Sequence, residues 1–155
     1  MWLETNLREK PLADLAVRQA ISLAIDRDKL VDVIWYGMGK PARGPIVSGN
    51  PNHFNAALPK LEYNPAKANK LLDDAGYKRG PDGVRFKLAQ NFLPYGEEWV
   101  RQAEYIKQEL GKIGIQALLR APRDGQTIAV TSITALAAMP VFDRNVGYMS
   151  PDDFE

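Results

Sequence analysis

A chain of 155 residues, 45% apolar and 25% charged, has the size and balance of a folded globular unit, which excludes wholesale disorder. Its 20 basic and 19 acidic residues leave a net charge of +1, so composition offers no basic surface for nucleic acid or an anionic membrane. With no cysteine and one histidine, disulfides, thiolate metal centres, cysteine nucleophiles and histidine clusters are excluded.

The first ten residues are charged and have no apolar stretch of the kind a signal peptide needs. No apolar run reaches the roughly 18 residues that span a bilayer. The chain is expected to be soluble, and any export signal to have been removed.

Asp14 to Tyr36 reads as one helix capped by Asp14, with a possible break near Asp26 to Asp28. Val17, Ala20, Ile21, Ala24 and Ile25 form its apolar face, continued by Leu30, Val31 and Ile34, and Gly37 and Gly39 end it. Residues 37 to 63 interleave glycines with Pro41, Pro45, Pro51 and Pro59. This predicts a long irregular connection, beyond ordinary loop length and therefore functional or wrapped over the surface. A second helix is expected from Pro65 to Ala75, with Asn64 as N-cap, Pro65 in the first turn and Gly76 as the stop. Ala68, Leu71, Leu72 and Ala75 make its inner stripe.

Val84 to Gln90 alternates as a strand with Val84, Phe86 and Leu88 inward, and Asn91 to Gly96 reads as a loop. A third helix spans Glu97 to Ile113, with Ala103, Ile106, Leu110 and Ile113 on one face and two glutamates favouring its N-terminus. Ile115 to Arg120 is a second strand. Strand, helix, strand over residues 84 to 120 predicts a βαβ unit if the strands are parallel. The uncharged stretch from Gln126 to Met139 reads as a helix, Val141 to Tyr148 as a third strand, and Pro151 to Glu155 as a frayed or cut end.

Catalytic signals are weak. His53 stands alone in the connection, and a lone loop histidine is more often solvated than a general base. Asp73 and Asp74 are neighbours on a helix and point about 100° apart, unlike a paired acid and base. Asp152, Asp153 and Glu155 match no metal loop. Gly37 to Gly44 lacks the preceding strand and the Ser/Thr of a phosphate-binding loop. Aromatic residues at element ends, Trp35-Tyr36, Phe92, Tyr95 and Tyr148, offer ligand platforms or core caps.

Four stretches in register resemble the extracytoplasmic solute-binding proteins of peptide/nickel-type ABC transporters, family 5. Val17-Arg18-Gln19-Ala20-Ile21 with Ala24-Ile25-Asp26-Arg27 resembles a family helix, after Thr5-Asn6, which resembles a strand end, and a Pro11…Asp14 lead-in. Tyr36-Gly37-Met38-Gly39-Lys40-Pro41-Ala42 with Gly44-Pro45-Ile46 resembles the loop that follows it. Tyr63-Asn64-Pro65-Ala66-Lys67-Ala68 with Leu71-Leu72-Asp73-Asp74-Ala75-Gly76-Tyr77 is similar to the next helix. Leu110-Gly111-Lys112-Ile113-Gly114-Ile115 resembles a helix-to-strand join.

The resemblance implies an α/β fold of the type II periplasmic-binding-protein kind, a small mixed sheet flanked by helices. Residues 1–155 are then a single lobe, the second of two, with the first lobe missing and residues 121–140 unassigned. It implies a non-enzymatic, extracytoplasmic component of an importer for peptides or related small solutes, without cofactor or metal, whose partners are the solute and membrane permease subunits. Gly147 to Phe154 resembles a ligand-side segment, so Tyr148 and Met149 are expected to face the solute. Met149 and Ser150 occupy the place of the family's amine-pairing aspartate. Asn91, Phe92 and Tyr95 on the strand-to-helix loop are further candidates, since open α/β sheets bind ligands beyond the carboxyl ends of their strands. A free-standing α/β protein-interaction domain remains the alternative reading.

Overall fold

A computed structural model of the protein describes residues 2–8, 10–92, 96–119 and 127–131. Its elements are β1 (Trp2–Thr5), α1 (Leu15–Ala24), α2 (Arg27–Ile34), α3 (Pro65–Asp74), β2 (Phe86–Phe92), α4 (Glu97–Lys112), β3 (Ile115–Leu119) and β4 (Thr127–Thr131). Among the described residues the strands form one mixed sheet in the order β1-β4-β2-β3. β2 runs parallel to both β3 and β4, and β1 closes the other side antiparallel to β4.

The expected βαβ unit is present as β2-α4-β3, in the register Leu88 opposite Ala117. α4 covers the sheet face that carries Leu88, Ile115 and Ala117, all buried. Its own stripe of Ala103, Ile106 and Leu110 repeats at helical spacing and meets that face. Val17, Ala20, Ile21 and Ala24 of α1 and Ala68 and Leu72 of α3 complete the same core. Each fully buried leucine or isoleucine there stabilises the fold by about 2 kcal/mol relative to exposure.

The sequence-based expectations need three corrections. The possible break near Asp26 to Asp28 is real, and the 14–36 span is two helices. Ile25 and Asp26 are extended, and the Asp26 carboxylate accepts the Lys29 N–H at 3.0 Å as the N-cap of α2. Arg27 donates to the carbonyls of Ser22 and Ile25 at 2.8 and 3.2 Å, satisfying acceptors that the end of α1 leaves open. Asp14 flanks α1 but makes no side-chain cap bond; its carboxylate accepts the Tyr77 hydroxyl at 3.0 Å instead. β2 lies two residues further along than expected, so Val84 and Arg85 precede it while Asn91 and Phe92 belong to it and not to a loop. Residues 127–131, expected within a helix, are strand β4, because β2 and β1 supply hydrogen-bonding edges on either side. A smaller difference is that Ala75 is exposed, since α3 ends at Asp74. The strand expected at 141–148 lies outside the described residues.

The connection from 37 to 63 has no helix or strand, as its glycines and prolines predict. α3 starts and stops as expected: Asn64 accepts the Lys67 N–H at 2.9 Å, and Gly76 turns out of the helix at φ 87°.

One guanidinium joins these layers. The Arg85 side chain is 2% exposed. It donates to the carbonyls of Ile113 and Tyr77, to Asn69 and to Asp73, linking the ends of α3 and α4 to the start of β2. Arg79 reinforces it through Asn69, Gly83 and Lys112. Gly114 lies under this clasp at φ 79°, and a Cβ there would come within 3.0 Å of both arginines and of the Gly83 carbonyl. Arg85→Ala leaves two buried carbonyls without a charged donor. The expected loss is about 3 kcal/mol, a fall in melting temperature of roughly 10 °C, read by circular dichroism.

Candidate functional site

β2, β3 and β4 run the same way, so their carboxyl ends gather on one side of the sheet. Asn91 and Phe92 end β2 there, and Thr131 ends β4 opposite Trp2 of β1. α4 begins just beyond, at Glu97. β2 leads through α4 to β3 on one side while β4 lies on its other side, the kind of arrangement in which open sheets form a ligand crevice. Asn91 is exposed at this end. Phe92 pairs its backbone with Val130. Of the other candidates, Tyr95, Tyr148 and Met149 lie outside the described residues.

Beneath this end, Gln90 is fully buried in β2. Its amide nitrogen reaches the Ala103 carbonyl of α4 at 3.4 Å, and its side-chain oxygen receives no hydrogen bond among the described residues. Buried polar oxygens are rarely left so in a core. A glutamine directly after Leu88-Ala89 in a strand is the sequence signal for this position.

Beside the same end, the carboxyl terminus of α2 meets the first turns of α4. The Trp35 indole N–H donates to Gln102 at 2.9 Å, and its ring stands edge-on to Trp99 with centroids 5.8 Å apart. Arg101 donates to the Tyr36 hydroxyl at 3.1 Å and pairs with Glu97 at 2.7 Å. The sequence marked Trp35 and Tyr36 as end-of-element aromatics, but nothing local pairs them with residues sixty-odd positions away.

A recess of about 340 Å³ lies elsewhere, between the start of α2, residues 41–43 and residues 60–63. Its charges are already engaged. Asp26 caps α2, Arg27 holds α1 carbonyls, Asp28 pairs with Lys60, and Glu62 pairs with Lys67. Its inner wall continues into a buried cluster on α4. Glu109, 3% exposed, takes hydrogen bonds from the Tyr63 hydroxyl at 3.2 Å and from Lys112 at 2.6 Å. The Tyr105 hydroxyl donates to the Asp26 carbonyl at 3.2 Å. These groups serve the fold, and the recess is not at the strand ends.

His53 is exposed in a turn. Asp73 and Asp74 engage different partners, Arg85 and Lys70, and so do not act as a pair. Among the described residues no three acidic, histidine or cysteine side chains converge on a metal-sized site.

This architecture is that of a type II periplasmic binding protein. The oligopeptide-binding protein AppA of Bacillus subtilis, solved with a nonapeptide, superposes with a TM-score of 0.72 at 25% identity, over 83% of this chain and 30% of that one. The model for bacterial extracellular solute-binding proteins, family 5 Middle, matches residues 1–153, and the chain belongs to this family. It is a family of solute-binding proteins, not of enzymes. The glutathione-binding protein GsiB of Pectobacterium atrosepticum is 31% identical over 128 residues, 83% of this chain and 24% of that protein. The dipeptide-binding protein of Escherichia coli K12 is 31% identical over 119 residues, 75% of this chain and 21% of that protein. The chain thus spans under a quarter of the length of these curated relatives.

The Tyr105 phenol is pushed well above its ordinary value, first by burial and then by the charges of Glu109 and Asp26. A raised folded value means that its contribution to stability is complete below the unfolded tyrosine pKa of about 10 and is lost as pH rises beyond it. Lys112, raised chiefly by its bond to Glu109, acts in the same direction. The urea midpoint is expected to hold from pH 7 to about 9.5 and to fall from about pH 10 upward. Tyr105→Phe should flatten part of that fall, leaving the shares of Lys112 and of Tyr77, which burial also raises.

Proposed function

We propose that this chain is the second lobe of an extracytoplasmic solute-binding protein that delivers peptides or related small solutes to an ABC importer. The observation that carries this reading is the family match across residues 1–153 of a chain whose matched residues cover under a quarter of its relatives. The relatives' names point to peptides and glutathione as the solute class. The reading assigns no chemistry to the site, in keeping with the absence of a nucleophile–base pair in the sequence.

The mechanism follows from differential contact. A solute that touches two lobes binds the closed arrangement more tightly than the open one, and so shifts the population toward closure. Permease subunits in the membrane then recognise the closed form. This lobe's share of the contact is the carboxyl end of β2 with Asn91, Phe92 and Tyr95, and the Tyr148-Met149 segment. Aromatic side chains suit this role because they give large contact area with few rotatable bonds. The opposing wall belongs to a lobe outside these 155 residues, and Met149 and Ser150 stand where the family's amine-pairing aspartate would be, so a free peptide amine is not the expected handle.

Calorimetric titration with dialanine, trialanine and glutathione tests this. The 155-residue chain alone is expected to show no saturable binding below about 1 mM, because half of the contacts are absent. The same residues joined to a first lobe are expected to bind one of these probes at micromolar concentration or better. In that protein Tyr95→Ala and Tyr148→Ala should each weaken binding about tenfold. Micromolar binding by the 155 residues alone overturns the lobe reading.

A further inference from the structure

The first turns of α4 stand where β2 ends, yet the helix has no capping side chain of its own. Its N-cap is Gly96, whereas α2 and α3 are closed by Asp26 and Asn64. An uncapped helix start frays unless something else holds it. Among the described residues, the end of α2 holds it. Four residues from one and a half turns of α4, Glu97, Trp99, Arg101 and Gln102, engage Trp35 and Tyr36 or each other.

The backbone at Tyr36 shows that this arrangement has a cost. Its φ is 52°, the left-handed region, and among the described residues it is the only non-glycine there. Glycine, which follows at position 37, would close α2 at this point without strain. Tyrosine brings what glycine cannot, a hydroxyl placed against the Arg101–Glu97 pair. The side chain is 61% exposed, so burial is not its reward. Strain held at one position by a specific partner is common next to binding sites.

We propose that the Trp35–Tyr36 elbow positions the start of α4, at the end of the lobe where β2 finishes and where the solute side is assigned. Tyr36 and Trp35 are positioning residues, acting through Arg101 and Gln102. The assignment of this end as the solute side rests on the function proposed above; the mechanical coupling does not.

Amide hydrogen exchange by NMR on the 155-residue chain tests the coupling without any solute, so failure of the transport reading is separable from failure here. The N–H groups of Arg101, Gln102 and Ala103 are the first to bond back within α4. In Tyr36→Phe, which removes one hydroxyl and leaves the ring, their exchange is expected to rise about tenfold, as for loss of a hydrogen bond to a charged group. The amides of Ile106 to Leu110, further along the same helix, should stay within about twofold. Tyr36→Gly relieves the left-handed strain, yet should speed exchange at the same three amides at least as much. A rise spread evenly along α4, or no rise at Arg101 to Ala103 in either variant, overturns the proposal.

Discussion

A pair of parallel strands needs a connection that crosses over one sheet face, and that face must then be covered. α4 does both for β2 and β3, and most of the remaining structure is arranged around this one helix. Its inner stripe meets Leu88 and Ala117, while its flanks receive α2 through Trp35 and Tyr105 and the long connection through Tyr63. Its last turn hands carbonyls to Arg79 and Arg85. The irregular connection from 37 to 63 is therefore anchored at both ends on one helix. Tyr36 is held to Arg101 and Tyr63 to Glu109, about two turns apart on the same helix.

The helices, the crossover unit and the irregular connection were legible because their signals are local. Apolar spacing, Asn64 before Pro65, and Gly76 after α3 all act within a few residues of where they are read. Two features have the opposite character. The break between α1 and α2 depends on Asp26 turning from helix interior to cap, and on Arg27 folding back onto Ser22 and Ile25. The apolar face runs straight through that break, so the sequence offers it only as a possibility. β4 depends on edges offered by β2 and β1, far away in sequence. Four of its five residues, Thr127, Ile128, Val130 and Thr131, are β-branched, a hint that the missing charge and mixed spacing outweighed.

The motifs that made the family recognisable are chiefly fold locks. Arg18 holds the carbonyls of Leu12 and Ala13, Asp26 and Arg27 form the α1–α2 joint, Tyr63 meets Glu109, and Asn64 caps α3. Such residues are constrained by geometry that does not change with the solute. Residues expected to face a solute carry no such constraint from the fold. Asn91 and Phe92 end β2, but what they would recognise cannot be read from spacing.

The pairing of β1 with β4 has a consequence for how the protein is made. Trp2 lies opposite Thr131, so β1 leaves the ribosome long before the segment that satisfies its backbone. At synthesis rates of about 5–20 residues per second, that interval is roughly 6 to 26 seconds. The β2-α4-β3 unit can assemble within it, since its contacts are closer in sequence, while the amino-terminal segment stays available to chaperones or to unwanted strand pairing. Cotranslational protection of residues 2–5 is thus a requirement written into the order of the sheet.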